Sequence, residues 1–112
     1  DVKDVARGGK TFDVAAALAP GKITVIDYWA TWCHPCKHID SALRQLATKH
    51  PQLAVRKAEV VDDDSAVVKQ HLGAGVTLPI VWIYDRNGKL LHKLVGTDEK
   101  RLRAVLEPLL SK

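Results

Sequence analysis

Methionine is absent from all 112 residues, the first position included, which predicts a processed or trimmed polypeptide. The start at Asp1 shows no basic n-region, apolar h-region and cleavage site, so no secretory leader is expected in this chain. No apolar run approaches the roughly 20 residues that a membrane-spanning helix needs, and no span is expected. The 17 basic and 13 acidic residues give a net charge of +4 and a pI near 9.2. The basic residues are spread mostly singly and are not interleaved with stacking aromatics. That distribution argues against nucleic acid and for a solvated, mildly basic surface. Repeats, linkers and low-complexity stretches are lacking too, so residues 1–112 read as a single domain, large enough to bury a core without staples.

Cysteine is nearly absent as well, and the two that occur lie in Trp32-Cys33-His34-Pro35-Cys36-Lys37. They fall between an apolar run ending at Ala30 and a helix-patterned segment beginning near Cys36. At a helix start, unpaired backbone N–H groups and the positive end of the macrodipole stabilise a thiolate, the form that attacks a disulfide. A purely structural disulfide is the weaker reading, because so short a loop constrains the unfolded chain little. A metal site is weaker too. Cys33 and Cys36 with His34 or His38 crowd three or four ligands on one turn, and no second pair stands at zinc spacing. No metal and no organic cofactor is expected.

Periodicity orders the elements. Asp1 to Gly9 reads as a short edge strand and a loop, and Thr11 to Ala19 as a helix stopped by Pro20-Gly21. Ile23 to Ala30 is too continuously apolar for a half-exposed strand and predicts a central one. Ile39, Ala42, Leu43, Leu46 and Ala47 form the stripe of a helix limited by Pro51. Leu53 to Val61 is a strand. Asp62-Asp63-Asp64 then opens a helix with Val67, Val68, His71 and Leu72 inward and Gly73 closing it. Ile80 to Tyr84 and Lys89 to Val95 form a hairpin around Asp85-Arg86-Asn87-Gly88. Thr97 or Asp98 caps a last helix, which Pro108 should kink or end early. The order β-α-β-α-β-α-β-β-α predicts an α/β fold, a mixed sheet with helices on both faces.

The stretch Asp27-Tyr28-Trp29-Ala30-Thr31-Trp32-Cys33-His34-Pro35-Cys36-Lys37 resembles the active-site segment of the thioredoxin superfamily, histidine in the dipeptide excepted. Thr77-Leu78-Pro79 stands where that family carries its cis-proline loop, and Asn87-Gly88 and Val95-Gly96 resemble two further glycine positions. The resemblance runs nearly end to end and implies the thioredoxin fold. Ile80 to Gly88 and Trp29 to Cys33 also resemble exported thioredoxin-like reductases of bacteria. One departure concerns the third-strand lysine that approaches the buried aspartate in thioredoxin. Counting back from Asp62, Ala58 falls at that place with Lys57 and Glu59 on either side, and the partner of Asp27 stays unassigned.

Cys33 is expected to attack a substrate disulfide, facing solvent, and Cys36, a turn deeper, to resolve the mixed disulfide. A charged His34 would stabilise the Cys33 thiolate and make the couple less reducing; the alternative is a solvated spacer. Pro35 has no N–H to lose in the first helical turn and stiffens it. Asp27 is the one charge inside an apolar strand. Burial should raise its pKa and let it take a proton from Cys36; a hydrogen-bonded strand-end aspartate is the alternative. The resemblance implies that Pro79 follows a cis peptide, leaving the Leu78 backbone free for an extended substrate; an ordinary loop proline opening a strand is the alternative. It also implies that Trp32, Thr77, Leu78 and Gly96 surround the cysteines as a shallow apolar groove. Trp29 and Trp82 read as core. His38, His50, His71 and His92 read as surface or helix-face residues with no partner at metal or catalytic spacing.

The function expected is a thiol–disulfide oxidoreductase acting on protein disulfides, recycled by an upstream thiol reductant and working as a monomer. The alternative is a non-catalytic thioredoxin-fold binding or metallochaperone module that uses the same thiols. A periplasmic or secreted setting is expected, with the cytoplasm as alternative, since a catalytic CxxC persists in either.

Overall fold

The computed structural model describes residues 1–73 and 75–111. Its five strands are β1 (Val2–Ala6), β2 (Ile23–Trp29), β3 (Leu53–Glu59), β4 (Ile80–Tyr84) and β5 (Leu90–Val95). They make one mixed sheet in the order β1-β3-β2-β4-β5. β2 pairs parallel with β3 and antiparallel with β4, so it is central, as its unbroken apolar run demands. The architecture is the thioredoxin fold.

Side chains alternate across the sheet and divide the core in two. Ile23, Val25, Leu53, Val55, Val81 and Ile83 share one cluster with the apolar stripes of α2 (His34–Lys49) and α3 (Glu99–Leu110). Ile26, Tyr28, Trp82 and Tyr84 lie in the other, under α1 (Val14–Ala17) and a π-helical turn at Val68–Leu72. Leu43 and Leu106 are almost fully buried between helix and sheet. Burying such a side chain contributes about 1.5–3 kcal/mol.

Local chemistry sets the ends. Asp98 caps α3 by accepting from the Arg101 N–H at 2.8 Å. In the hairpin, Asp85 Oδ1 accepts from the N–H groups of Asn87 and Lys89, at 2.8 and 2.9 Å. The Arg56 guanidinium is buried in β3 and ties three segments together. It donates to the Ala17 carbonyl at 2.9 Å and to the Asp1 carboxylate at 3.1 Å, so the strand start at Val2 is held from beneath.

Three expectations need correction. The first helix is a single turn, because Asp13 caps it late, accepting from Ala15 N–H, and Leu18 is already extended ahead of Pro20. The acidic triplet opens no α-helix. Ser65 Oγ accepts from the N–H groups of Val61 and Asp62 and holds that stretch as a turn, and the helical residues that follow widen to a π-turn closed by Gly73 N–H on the Val68 carbonyl. Pro108 sits inside α3, which continues to Leu110. So near the end it forfeits one backbone bond, while Ser111 N–H still reaches the Glu107 carbonyl and Leu110 stays buried. His71 lies on the inward face, its Nδ1 2.9 Å from the Tyr28 hydroxyl and its ring edge-on to Phe12. Burial holds that imidazole below its ordinary pKa.

Candidate active site

Cys33 is the N-cap residue of α2, His34 opens the helix and Pro35 fills its first turn. The two cysteines are joined as a disulfide. The expectation that Cys33 alone faces solvent is not met in this oxidised form: Cys33 is 5% exposed and Cys36 3%. Ring closure draws both sulfurs against Ala30, Trp29 and Leu78. What separates them is direction. Cys36, and not Cys33, lines a cavity of about 450 Å³ together with Trp29, Asp40, Arg44 and Lys57. Trp29 therefore belongs to the site rather than to the core, whereas Trp82 is buried in the core.

Asp27 is wholly buried on the α2 face of β2. The parallel register sets it directly opposite Lys57, and Lys57 Nζ donates to Asp27 Oδ2 at 2.8 Å. Lys57 is thus the third-strand partner that counting from Asp62 missed. Aligning the first residues of the two strands, Ile23 with Leu53, gives the pair at once. The Lys57 ammonium also donates to Asp40 Oδ1 and lies 5.2 Å from the Trp29 ring. Asp40 stands one turn beyond Cys36 on α2, and its other oxygen accepts from Arg44 at 2.9 Å. Burial pushes the Asp27 carboxyl above its usual range, against the pull of Lys57, and the charge of Asp40 adds to the rise. For Asp40 burial also acts upward, but its bonds to Lys57 and Arg44 outweigh it and hold the carboxyl low. Among the described residues Asp27 Oδ1 has no hydrogen-bond partner.

On the other side, the Leu78–Pro79 peptide is cis. Gly96 N–H donates to the Thr77 carbonyl at 3.1 Å and Thr97 N–H to that of Pro79 at 3.3 Å, which moors the loop to the end of β5. Gly96 has φ +61°, and a Cβ there would lie 3.1 Å from Thr77 Cγ2. Leu78 packs on the cysteine pair. Trp32 is 60% exposed and turns toward a residue that sequence reasoning passed over: its indole N–H donates to the Val61 carbonyl at 2.6 Å. His34 and His38 meet edge-on at 5.4 Å on the exposed flank of α2. A paired dithiol with a buried carboxylate behind it and an exposed apolar rim in front can exchange disulfides.

A model of the thioredoxin family matches residues 6–108. Thioredoxin-1 of Saccharomyces cerevisiae is 30% identical over 91 residues, covering 81% of this chain and 84% of that protein. Thioredoxin-1 of Caenorhabditis elegans is 33% identical over 84 residues, covering 75% and 70%. The solved structure of the germline-specific thioredoxin Deadhead of Drosophila melanogaster has a TM-score of 0.63 at 28% identity, covering 86% of this chain and 87% of that one. Oxidised thioredoxin O1 of Arabidopsis thaliana is similar in fold, with a TM-score of 0.69 at 21% identity and 97% of each chain covered.

Proposed function

As a member of the thioredoxin family, the chain is a thiol–disulfide oxidoreductase, and we propose that it reduces protein disulfides with Cys33 attacking and Cys36 resolving. The observation that carries this reading is that Cys36, and not Cys33, lines the cavity that holds Lys57.

In the reduced protein, the Cys33 thiolate, stabilised by the start of α2, attacks one sulfur of a substrate disulfide. A mixed disulfide forms and the first substrate thiolate leaves with a proton from solvent. Asp27, buried behind Lys57 at the cavity that Cys36 lines, then takes the proton of Cys36. The Cys36 thiolate attacks Cys33 Sγ, the second substrate thiolate leaves with the proton that Asp27 holds, and the Cys33–Cys36 disulfide remains. Substrate has gained two electrons and two protons. The mooring of Thr77 and Pro79 to Gly96 and Thr97 presents Leu78 to an extended substrate strand, and Trp32 supplies an exposed apolar contact beside it.

The oxidised protein needs an electron donor to begin again. A thioredoxin f2 has been solved in complex with a ferredoxin:thioredoxin reductase, and a reductase carrying its own thiols is the donor class we infer for this chain. A periplasmic or secreted setting is supported by the basic surface; thiol trapping in fractionated cells tests it. The catalytic reading is tested by mixing reduced Cys36→Ser with a disulfide protein. A trapped mixed disulfide through Cys33 is expected; trapping in Cys33→Ser through Cys36 instead would reverse the roles.

A further inference from the structure

Lys57 is shared. Its side chain is buried, and it contacts two carboxylates at once, Asp27 beneath it and Asp40 on the neighbouring helix. Asp40 is in turn gripped by Arg44. The four groups form a row of alternating charge, from a fully buried carboxylate to an exposed guanidinium at the mouth of the cavity. The other charged groups facing Asp40 across that cavity are Asp4 from β1, Arg7 just after it, Glu59 from β3 and Lys37 from its own helix. Arg7 is engaged by Asp4 at 2.7 Å, and Glu59 accepts from the Gly8 N–H at 2.8 Å. Among the described residues, Asp40 is thus the one carboxylate that competes with Asp27 for Lys57.

We propose that Asp40 is a positioning residue of the exchange reaction, dividing the Lys57 ammonium with Asp27 so that the Asp27 carboxylate stays basic enough to take the proton of Cys36. The inference rests on the reading that Asp27 is the proton acceptor, and it assigns the tuning of that acceptor to a residue that touches neither sulfur's substrate nor Asp27 itself. The physical reason is simple. An ammonium devoted wholly to Asp27 would hold its carboxylate charged to low pH and make it a poor base. A second anion on the same ammonium weakens that hold and adds its own repulsion. Efficient proton transfer follows the acceptor's basicity, so the sharing speeds resolution at neutral pH. The unpartnered Asp27 Oδ1 leaves an oxygen for the incoming proton. Arg44 opposes the effect by drawing Asp40 outward.

The test is the pH profile of the resolving step, followed by stopped-flow mixing of the reduced full chain with a disulfide substrate under single-turnover conditions. In Asp40→Asn the acid limb of the profile should move to lower pH and the plateau rate fall by roughly three- to tenfold. Asp40→Glu should restore both, and Arg44→Gln, at an exposed position, should move the limb slightly the other way. In an Asp27→Asn background, Asp40→Asn should change nothing further. A wild-type limb and plateau in Asp40→Asn, with Asp27→Asn altered, would overturn the role of Asp40 alone. If Asp27→Asn also keeps the wild-type profile, the acceptor itself is misassigned and this inference falls with it.

Discussion

On one side the Cys33–Cys36 disulfide meets a cavity carrying Lys57, Asp40 and Arg44; on the other it meets Leu78 of a moored loop, with Trp32 and Val61 exposed further out. The first side is ionic and backed by the buried Asp27–Lys57 pair, the second apolar with an exposed rim. Of the two cysteines, only Cys36 lines the ionic cavity, while Leu78 packs on the pair. Charge close to a thiol matters most where water is scarce, because the effective dielectric is low there. Apolar surface contributes to binding only where a partner can cover it. The difference teaches that a division of labour between the sulfurs need not come from the cysteines themselves. It follows from the element each one faces.

Exchanging the sulfurs for hydroxyls breaks the comparison most severely. Cys33→Ser should reduce disulfide turnover to background, while Cys36→Ser should still complete one attack and accumulate a mixed disulfide visible by intact mass. Equal residual turnover in the two variants would mean that the two sides are equivalent. On the open side, Gly96→Val forces a β-branched residue to φ +61° against Thr77. A cost of about 2 kcal/mol is expected, lowering Tm by roughly 8–16 °C. An unchanged melting curve would show that the mooring of the loop is soft.

On the ionic side, Asp27→Asn sharpens the contrast through pH. The Asp27 pKa is raised in the fold, chiefly by burial. Its contribution to stability is therefore fully present below the unfolded value of 3.8 and is lost as pH rises through the folded one. Asp27→Asn should accordingly melt a few degrees higher than the parent at neutral pH, with the gap closing toward pH 3, and should resolve mixed disulfides more slowly. A gap that widens in acid would reverse the sign assigned here. The smallest effect is expected at His34. His34→Gly should lower the reduction potential by on the order of 10–30 mV, where about 30 mV is tenfold in the exchange constant. Equilibration with a graded thiol buffer measures it, and a rise would remove the imidazole from the electrostatics of Cys33.

What could be read in the chain was whatever rests on neighbours in sequence. The unbroken run of β2 announces a covered strand, and the Cys33–Cys36 spacing at a helix start announces exchangeable thiols. The partner of Asp27 depends instead on the pairing of two strands joined through α2. Counting from Asp62 placed it one residue off, because Val60 and Val61 already lie beyond the end of β3. Asp40 was invisible for a different reason. On the polar flank of an apolar stripe, a solvated aspartate and one that crosses to a buried lysine look alike. Pro108 and the acidic triplet misled because a local preference worth about 1–3 kcal/mol yields to burial of Leu110 and to the Ser65 turn. Fold and thiols were legible; the charge behind them was not.

The Arg56 anchor bears on how the sheet comes apart. β1 is held by β3 alone, at one edge, and its pairing is broken by a bulge between Asp4 and Ala6. Peeling it away costs few apolar contacts but strips the Asp1 carboxylate from a buried guanidinium. That edge should behave as a latch: it opens rarely, independently of the remaining strands, and recloses under a strong local attraction. Hydrogen exchange at the Val2–Ala6 amides would then run through a partial opening well below the global unfolding free energy. Asp1→Ala would loosen it without touching the disulfide.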